Sequence, residues 1–208
     1  MVIPYYEKEE SLNRLIKSVF PDLLAYSNDP YTMINRCILT PKKSSVDELN
    51  DIMIKRFPGN PHVYISSDKT VDQRHQGDCE DFLNSQNPKG LPPHNFWPAP
   101  REKNLLPKIP LQTSDSEKNG LPFIRTQFPV RLCFALTINK SQRQTLDYVG
   151  IYLRELVFSH GQLYVALSRA KTSAAVKILI VPGTFGDIKV DCKTRNVVFQ
   201  EIFQLTQH

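Results

Sequence analysis

Apolar residues recur at helical spacing near the start of the chain. Leu12, Leu15, Ile16 and Val19 fall three or four positions apart within residues 11–20, the stripe left by one buried helix face. A short apolar run, Arg36-Cys37-Ile38-Leu39, ends at Thr40-Pro41 and reads as a strand. A second helix follows, with Ser45 as N-cap and Glu48 three residues on, the spacing of a capping box. Val46, Leu49, Ile52, Met53 and Phe57 line one of its faces. Lys55 and Arg56 suit the negative end of its dipole, and Pro58-Gly59 stops it.

The best-patterned stretch lies at the other end. Residues 130–137 (VRLCFALT) form an apolar run fit for a buried strand, and residues 139–145 a short helix capped by Thr137. Residues 148–153 (YVGIYL) and 176–181 (VKILIV) read as two more buried strands. Between them Ser159 opens a helix with a second capping box to Gln162, and Phe158 with Leu163 makes the matching hydrophobic staple. Leu163, Ala166, Leu167 and Ala170 form its inner face, leaving Arg169 on another side. Strands alternating with helices predict an α/β fold with a mostly parallel sheet flanked by helices.

Residues 71–128 carry no sustained period and hold Pro88, Pro92, Pro93, Pro98, Pro100, Pro107, Pro110 and Pro122. They read as a long irregular, proline-rich linker or insert, so the predicted organisation is 1–70, 71–128 and 129–208.

Composition changes this picture little. Of 208 residues 40% are hydrophobic and 23% charged, ordinary for a globular protein. The net charge of +5 leans toward a polyanionic partner, although Lys and Arg are scattered. Cys37, Cys79, Cys133 and Cys192 form no C-x-x-C pair, which argues against a zinc site or a disulfide framework and for a reducing compartment. The start MVIPYYEKEE lacks the pattern of a secretory leader, and no apolar stretch reaches membrane-spanning length, so no membrane partner is expected.

The chemistry is partial. No G-x-x-x-x-G-K-[ST] loop and no metal-holding acidic strand end exist, so this chain alone has no cradle for ATP phosphates. Three polar stretches do fall where α/β sheets bind ligands, at the carboxyl ends of strands or just after them. They are Thr40-Pro41-Lys42-Lys43, Thr137-Ile138-Asn139-Lys140-Ser141-Gln142, and Arg169 within Y-V-A-L-S-R-A. Such groups bind phosphate, but Thr40 and Thr137 also serve as plain caps, the lysines as a solvated turn, and Arg169 as one half of a surface ion pair.

T-I-N-K-S-Q-R-Q-T-L-D-Y-V-G-I-Y-L followed by F-S-H-G-Q-L-Y-V-A-L-S-R-A-K-T resembles the last two motifs of the petite-integration-frequency (Pif) family of DNA helicases, above all its plant Helitron-associated members. I-L-T-P-K-K-S-S-V-D-E-L-N resembles the family's motif at the start of its second RecA-like domain. F-L-N-S-Q-N-P-K-G-L-P-P-H, R-T-Q-F-P-V-R-L and the ending N-V-V-F-Q-E-I-F are also similar. The resemblance implies ATP-dependent five-prime to three-prime unwinding in DNA repair, recombination or telomere maintenance, in the nucleus, with ATP and Mg²⁺ held by the intact enzyme. It makes Arg169 the arginine finger, a role worth on the order of 10³ in rate. It places Gln142 and Arg143 toward nucleotide, and Thr40, Lys42, Thr137, Lys140 and Ser141 on single-stranded DNA.

Three departures qualify that implication. The first motor domain is missing, so no nucleotide is expected to bind tightly to this chain alone. The segment after G-L-P-P-H is short, the mark of an internal deletion. Arg143 stands where the family motif S-Q-G-Q-T has glycine, which costs about 1–2 kcal/mol if that position needs positive φ. The alternatives are a non-catalytic module that binds single-stranded DNA or a full-length helicase, and a non-functional transposon remnant.

Overall fold

The computed structural model describes residues 1–29, 33–58, 63–71, 76–86, 91, 92, 94–96, 107–113, 122–130, 133–185, 188–190 and 193–199. Several features of the sequence reading lie outside them: Gly59 of the helix stop, residues 131 and 132 of the apolar run, Cys192, Pro88, Pro93, Pro98 and Pro100, and the last residues of the N-V-V-F-Q-E-I-F match. In chain order the elements are α1 (Lys8–Val19), α2 (Leu23–Asn28), β1 (Arg36–Thr40), α3 (Lys43–Arg56), β2 (Tyr64–Ile65), β3 (Ser67–Thr70), α4 (Gln76–Ser85), β4 (Asn95–Phe96), β5 (Ile109–Gln112) and β6 (Phe123–Gln127). β7 (Ala135–Thr137), β8 (Tyr148–Leu153), α5 (Gln162–Leu167), β9 (Val176–Ile180), β10 (Gly183–Phe185) and β11 (Ile188–Val190) complete them. None of the described helices is long and apolar enough to cross a membrane.

The chain divides into two compact units, Met1–Pro58 with Cys133–His208, and Gly59–Leu132. The first is built on a parallel sheet of strand order β7-β1-β8-β9. Its central strands are nearly continuous apolar runs because both faces are covered. On one face α1 buries Leu12, Leu15, Ile16 and Val19, the stripe the spacing predicts. That helix sits so close to β8 that a Cβ on Gly150 would lie 2.8 Å from Val19 Cγ2. On the other face Ile138, Leu146, Val149, Ile151, Leu153, Val157 and Ala166 form a continuous core. The first residues run alongside β9, with Ile3 N–H donating to the Ile178 carbonyl at 2.7 Å.

Cys37 lies in the middle of this core, and burial, with Cys133 nearby, pushes its thiol up to about 12. The folded state therefore holds this proton more tightly than the unfolded chain. The stability it contributes is whole below about pH 8.5 and is lost as pH rises toward the folded value, at about 1 kcal/mol per pH unit. The stability difference between wild type and Cys37→Ala should shrink between pH 8 and pH 10.5 in urea titrations. A constant difference would overturn this.

Where the pattern leaves 71–128 irregular, the described residues of the second unit form regular elements: an antiparallel sheet of order β3-β6-β5, a β2–β4 pair and α4. The buried positions of β3 and β6 include Asp68, Thr70, Arg125 and Gln127, so no apolar alternation announces them. Arg125 is 0% exposed and fully engaged. Its Nη2 reaches Asp68 Oδ2 at 2.6 Å and its Nε reaches Oδ1 at 2.9 Å. The remaining N–H groups donate to the carbonyls of Leu83, Gln86 and Pro92 at 3.0, 3.1 and 3.2 Å.

Helix starts also differ from the reading. α3 begins at Lys43 with Lys42 as N-cap, and no side chain caps it. Ser45 Oγ instead donates to Glu155 Oε2 at 3.3 Å, while Glu48 pairs with Lys8 at 3.2 Å and Arg154 at 2.6 Å. α5 starts after Gly161, whose φ of +66° makes the turn. Gln162 Oε1 accepts from the Phe158 N–H at 3.0 Å rather than from Ser159, and Phe158 is exposed.

Candidate functional site

All four strands of the first unit's sheet run parallel, so their carboxyl ends share one edge. Thr40 and Thr137 are register partners on adjacent strands there. The pairing brings the Thr40-Pro41-Lys42-Lys43 turn beside the segment that follows Thr137. Lys42, Lys43 and Lys140 are exposed on these two loops. Thr40 itself is 0% exposed, and its hydroxyl has no partner among the described residues. Ser141 is equally buried, its Oγ donating to the Ile138 carbonyl at 2.7 Å. Thr40 and Ser141 thus shape the edge from inside, and the exposed charged groups on it are the lysines, with Ser44 and Asn139 exposed beside them. The expected helix at 139–145 is a single 3-10 turn over Ile138–Ser141, and Thr137 stands at its N-cap without a side-chain bond.

Past that turn the backbone reverses. Gln144 N–H donates to the Ser141 carbonyl at 3.0 Å, and Arg143 adopts φ +69°, the left-handed region. A side chain there carries a strain that glycine does not. Gln142, Arg143 and Gln144 are exposed. Arg143→Gly should raise stability by about 1 kcal/mol and the thermal midpoint by a few degrees, after the entropy glycine adds to the unfolded chain is subtracted. A variant with an unchanged or lower midpoint would remove the strain argument.

Arg169 reaches the same turn from the C-terminal end of α5. Its Nε donates to the Val165 carbonyl at 2.9 Å and its Nη2 to Ser168 Oγ at 2.9 Å. Its Nη1 donates to the carbonyls of Gln144 at 3.2 Å and Ser141 at 3.4 Å. Backbone bonds reinforce the junction, from Leu146 N–H to the Arg169 carbonyl at 2.9 Å and from Lys171 N–H to the Leu146 carbonyl at 3.3 Å. The guanidinium is half-buried and braces the turn, and no surface ion pair is needed to explain it.

At the opposite edge of the sheet, Lys171 and Asn35 both reach Asp147, and the Lys171 bond, then the Asn35 bond, hold its carboxyl below the usual range. The Arg36 guanidinium lies over the Tyr148 ring at 4.0 Å. The sequence gives no hint of these partners, which are far apart in the chain. Among the described residues no three His, Cys, Asp or Glu side chains gather as metal ligands.

No family model matches the chain. Curated relatives do. The ATP-dependent DNA helicase PIF1 of Saccharomyces cerevisiae is 32% identical over 142 residues, 68% of this chain and 16% of that protein. The ATP-dependent DNA helicase PIF1 of Danio rerio is 47% identical over 60 residues, 29% of this chain and 9% of that protein. Among solved structures, Pif1 helicase from Candida albicans superposes with a TM-score of 0.50 at 19% identity, covering 83% of this chain and 53% of that one. This last likeness is one of fold, and it agrees with a RecA-like parallel sheet. The chain spans under a fifth of the length of the curated relatives cited.

Proposed function

The chain belongs to the Pif1 family of DNA helicases, and from that membership we propose that it serves ATP-dependent DNA unwinding as the second RecA-like motor domain. In this reading the carboxyl edge of the parallel sheet tracks single-stranded DNA through its phosphates. Lys42 and Lys140 supply charge from two neighbouring loops, with Thr137 between them. Thr40 and Ser141 hold those loops in shape from the interior. Arg169 with Gln142 and Arg143 faces the nucleotide, where the arginine stabilises charge on the transferred phosphoryl group. ATP and Mg²⁺ belong to the complete motor, in which the first motor domain provides the phosphate cradle that this sequence lacks. The compartment is the nucleus, and a full-length helicase is a partner for this chain.

The observation that carries the reading is the register of Thr40 with Thr137, which sets both lysine loops on one edge beside the turn that Arg169 braces. The test is fluorescence anisotropy of labelled single-stranded DNA at low and moderate salt, with and without ATP. Binding is expected with a Kd on the order of 10⁻⁵ M, falling with salt and indifferent to ATP. In Lys42→Ala/Lys140→Ala the slope of log K against log salt should drop by about 1.4, since each phosphate neutralised on a single strand is worth about 0.7. An unchanged slope would place the DNA away from these loops, and no binding by a folded chain would remove the reading.

A further inference from the structure

Asn50 interrupts the buried face of α3 with a polar side chain. Val46, Leu49 and Met53 are buried around it, and Asn50 itself is 4% exposed. A carboxamide in such a place is costly unless its bonds are made. Here they are made to one short piece of backbone. Asn50 Oδ1 accepts from the N–H groups of Phe134 and Ala135, both at 2.9 Å. Its Nδ2 donates to the Ala135 carbonyl at 3.4 Å. Both polar backbone groups of Ala135 are therefore taken by one side chain, which presents them with the donor and acceptor that a neighbouring strand's peptide would offer.

Strand β7 lies at the end of the sheet and, among the described residues, pairs with β1 alone. It is three residues long, and beyond Thr137 it runs directly into the turn that carries Lys140. Its pairing with β1 spans Ile38 to Thr40. Asn50 adds a polar tie from the helix layer, beside the ring contact of Phe57 with Phe134. The helix that bears it begins at Lys43, immediately after the other lysine loop. One rigid element thus ends in the first phosphate-facing loop and clamps the strand that leads to the second.

We propose that Asn50 is a positioning residue for the DNA-facing edge, acting through β7 to set the spacing of the Lys42 and Lys140 loops. The inference rests on the DNA-tracking reading above, but its geometric half can be tested without DNA. The experiment measures backbone amide exchange by NMR and single-stranded DNA anisotropy in wild type, Asn50→Ala and Asn50→Asp. Asp keeps the acceptor for both N–H groups, and the Ala135 carbonyl still receives the Cys133 thiol at 3.1 Å.

In Asn50→Ala, exchange at Phe134 and Ala135 should accelerate roughly tenfold or more beyond any change at Ile38 and Ile151 in the sheet centre. The Gln144 amide, in the turn itself, should accelerate with them. DNA affinity should fall several-fold, and Asn50→Asp, which keeps the acceptor but sets its second oxygen against the Ala135 carbonyl, should restore protection at Phe134 and Ala135 in part. Equal acceleration throughout the sheet would reduce Asn50 to a general stabiliser and overturn the proposal. So would freed Phe134 and Ala135 amides with an unaffected Gln144 amide or unchanged DNA affinity. If wild type binds no DNA, the DNA-tracking reading fails, and the three amides still decide whether Asn50 positions the turn. Should Asn50→Ala not fold, Asn50→Ser, which keeps one small acceptor, takes its place in the same comparison.

Discussion

Replacing Arg125 by methionine is expected to destabilise the second unit by about 3–5 kcal/mol, enough to unfold it at room temperature. The cause is what stays behind. Asp68 is also buried, and without the guanidinium its carboxylate loses three charge-assisted bonds, while the Ser66 hydroxyl at 2.7 Å and His94 Nδ1 at 3.7 Å stay beside it. The carbonyls of Leu83, Gln86 and Pro92 lose the guanidinium at the same time, although Leu83 keeps the Gln86 N–H at 3.1 Å, and the end of α4 loosens from β6. Limited proteolysis should then cut within 59–132 well before it cuts the parallel sheet. Arg125→Met/Asp68→Leu should be less damaging than Arg125→Met alone, because no buried carboxylate is then left without its guanidinium. A double variant as damaged as the sum of both singles would show that the two residues do not act as a pair.

The second large effect lies in the first unit. Gly150→Ala should cost about 1–3 kcal/mol despite the entropy that alanine removes from the unfolded chain. The new methyl would stand 2.8 Å from Val19 Cγ2, 3.2 Å from Ile38 Cγ1 and 3.3 Å from Leu15 Cδ1. Val19 is β-branched and fully buried, so it cannot rotate away cheaply. Either α1 lifts off β8 or the strand bends. Shortening the neighbour should relieve the clash, so Val19→Ala/Gly150→Ala should melt above Gly150→Ala alone. If the single substitution leaves the melting temperature unchanged, α1 and β8 are not as closely packed as this distance requires.

The two units were not equally legible in the sequence. β1, β8 and β9 appear as apolar runs because a parallel sheet covered on both faces leaves no polar positions to mask them. α1 is equally plain, since Leu12, Leu15, Ile16 and Val19 keep strict helical spacing. β3 and β6 are invisible to the same reading: Asp68, Arg125 and Gln127 occupy inward positions that the pattern reserves for apolar residues. The capping boxes failed for another reason. Ser45 and Glu48 have the right local spacing, but Glu155, Lys8 and Arg154 compete for them from elsewhere in the chain, and spacing carries no record of such partners.

The site divides in a similar way. The glycine of the family motif was enough to expect a special backbone at Arg143, and φ there is +69°. The carboxyl ends of the strands were legible from the apolar runs, and with them the two loops bearing Lys42 and Lys140. Burial was not. Thr40 and Ser141 are short polar residues at loop starts, the kind that usually meets solvent, yet both are enclosed. Asn50 was hidden inside an apolar stripe, where the helical pattern reads past a single polar position.

The hydrogen bonds of Arg169 have a thermodynamic consequence for anything that recruits it. A ligand that draws the guanidinium away must first release the Ser141, Gln144 and Val165 carbonyls, so its apparent affinity is reduced by the work of loosening the 141–144 turn. Coupling of this kind is reciprocal. Whatever stiffens that turn from outside makes Arg169 harder to capture, and whatever captures Arg169 leaves the turn freer to change shape.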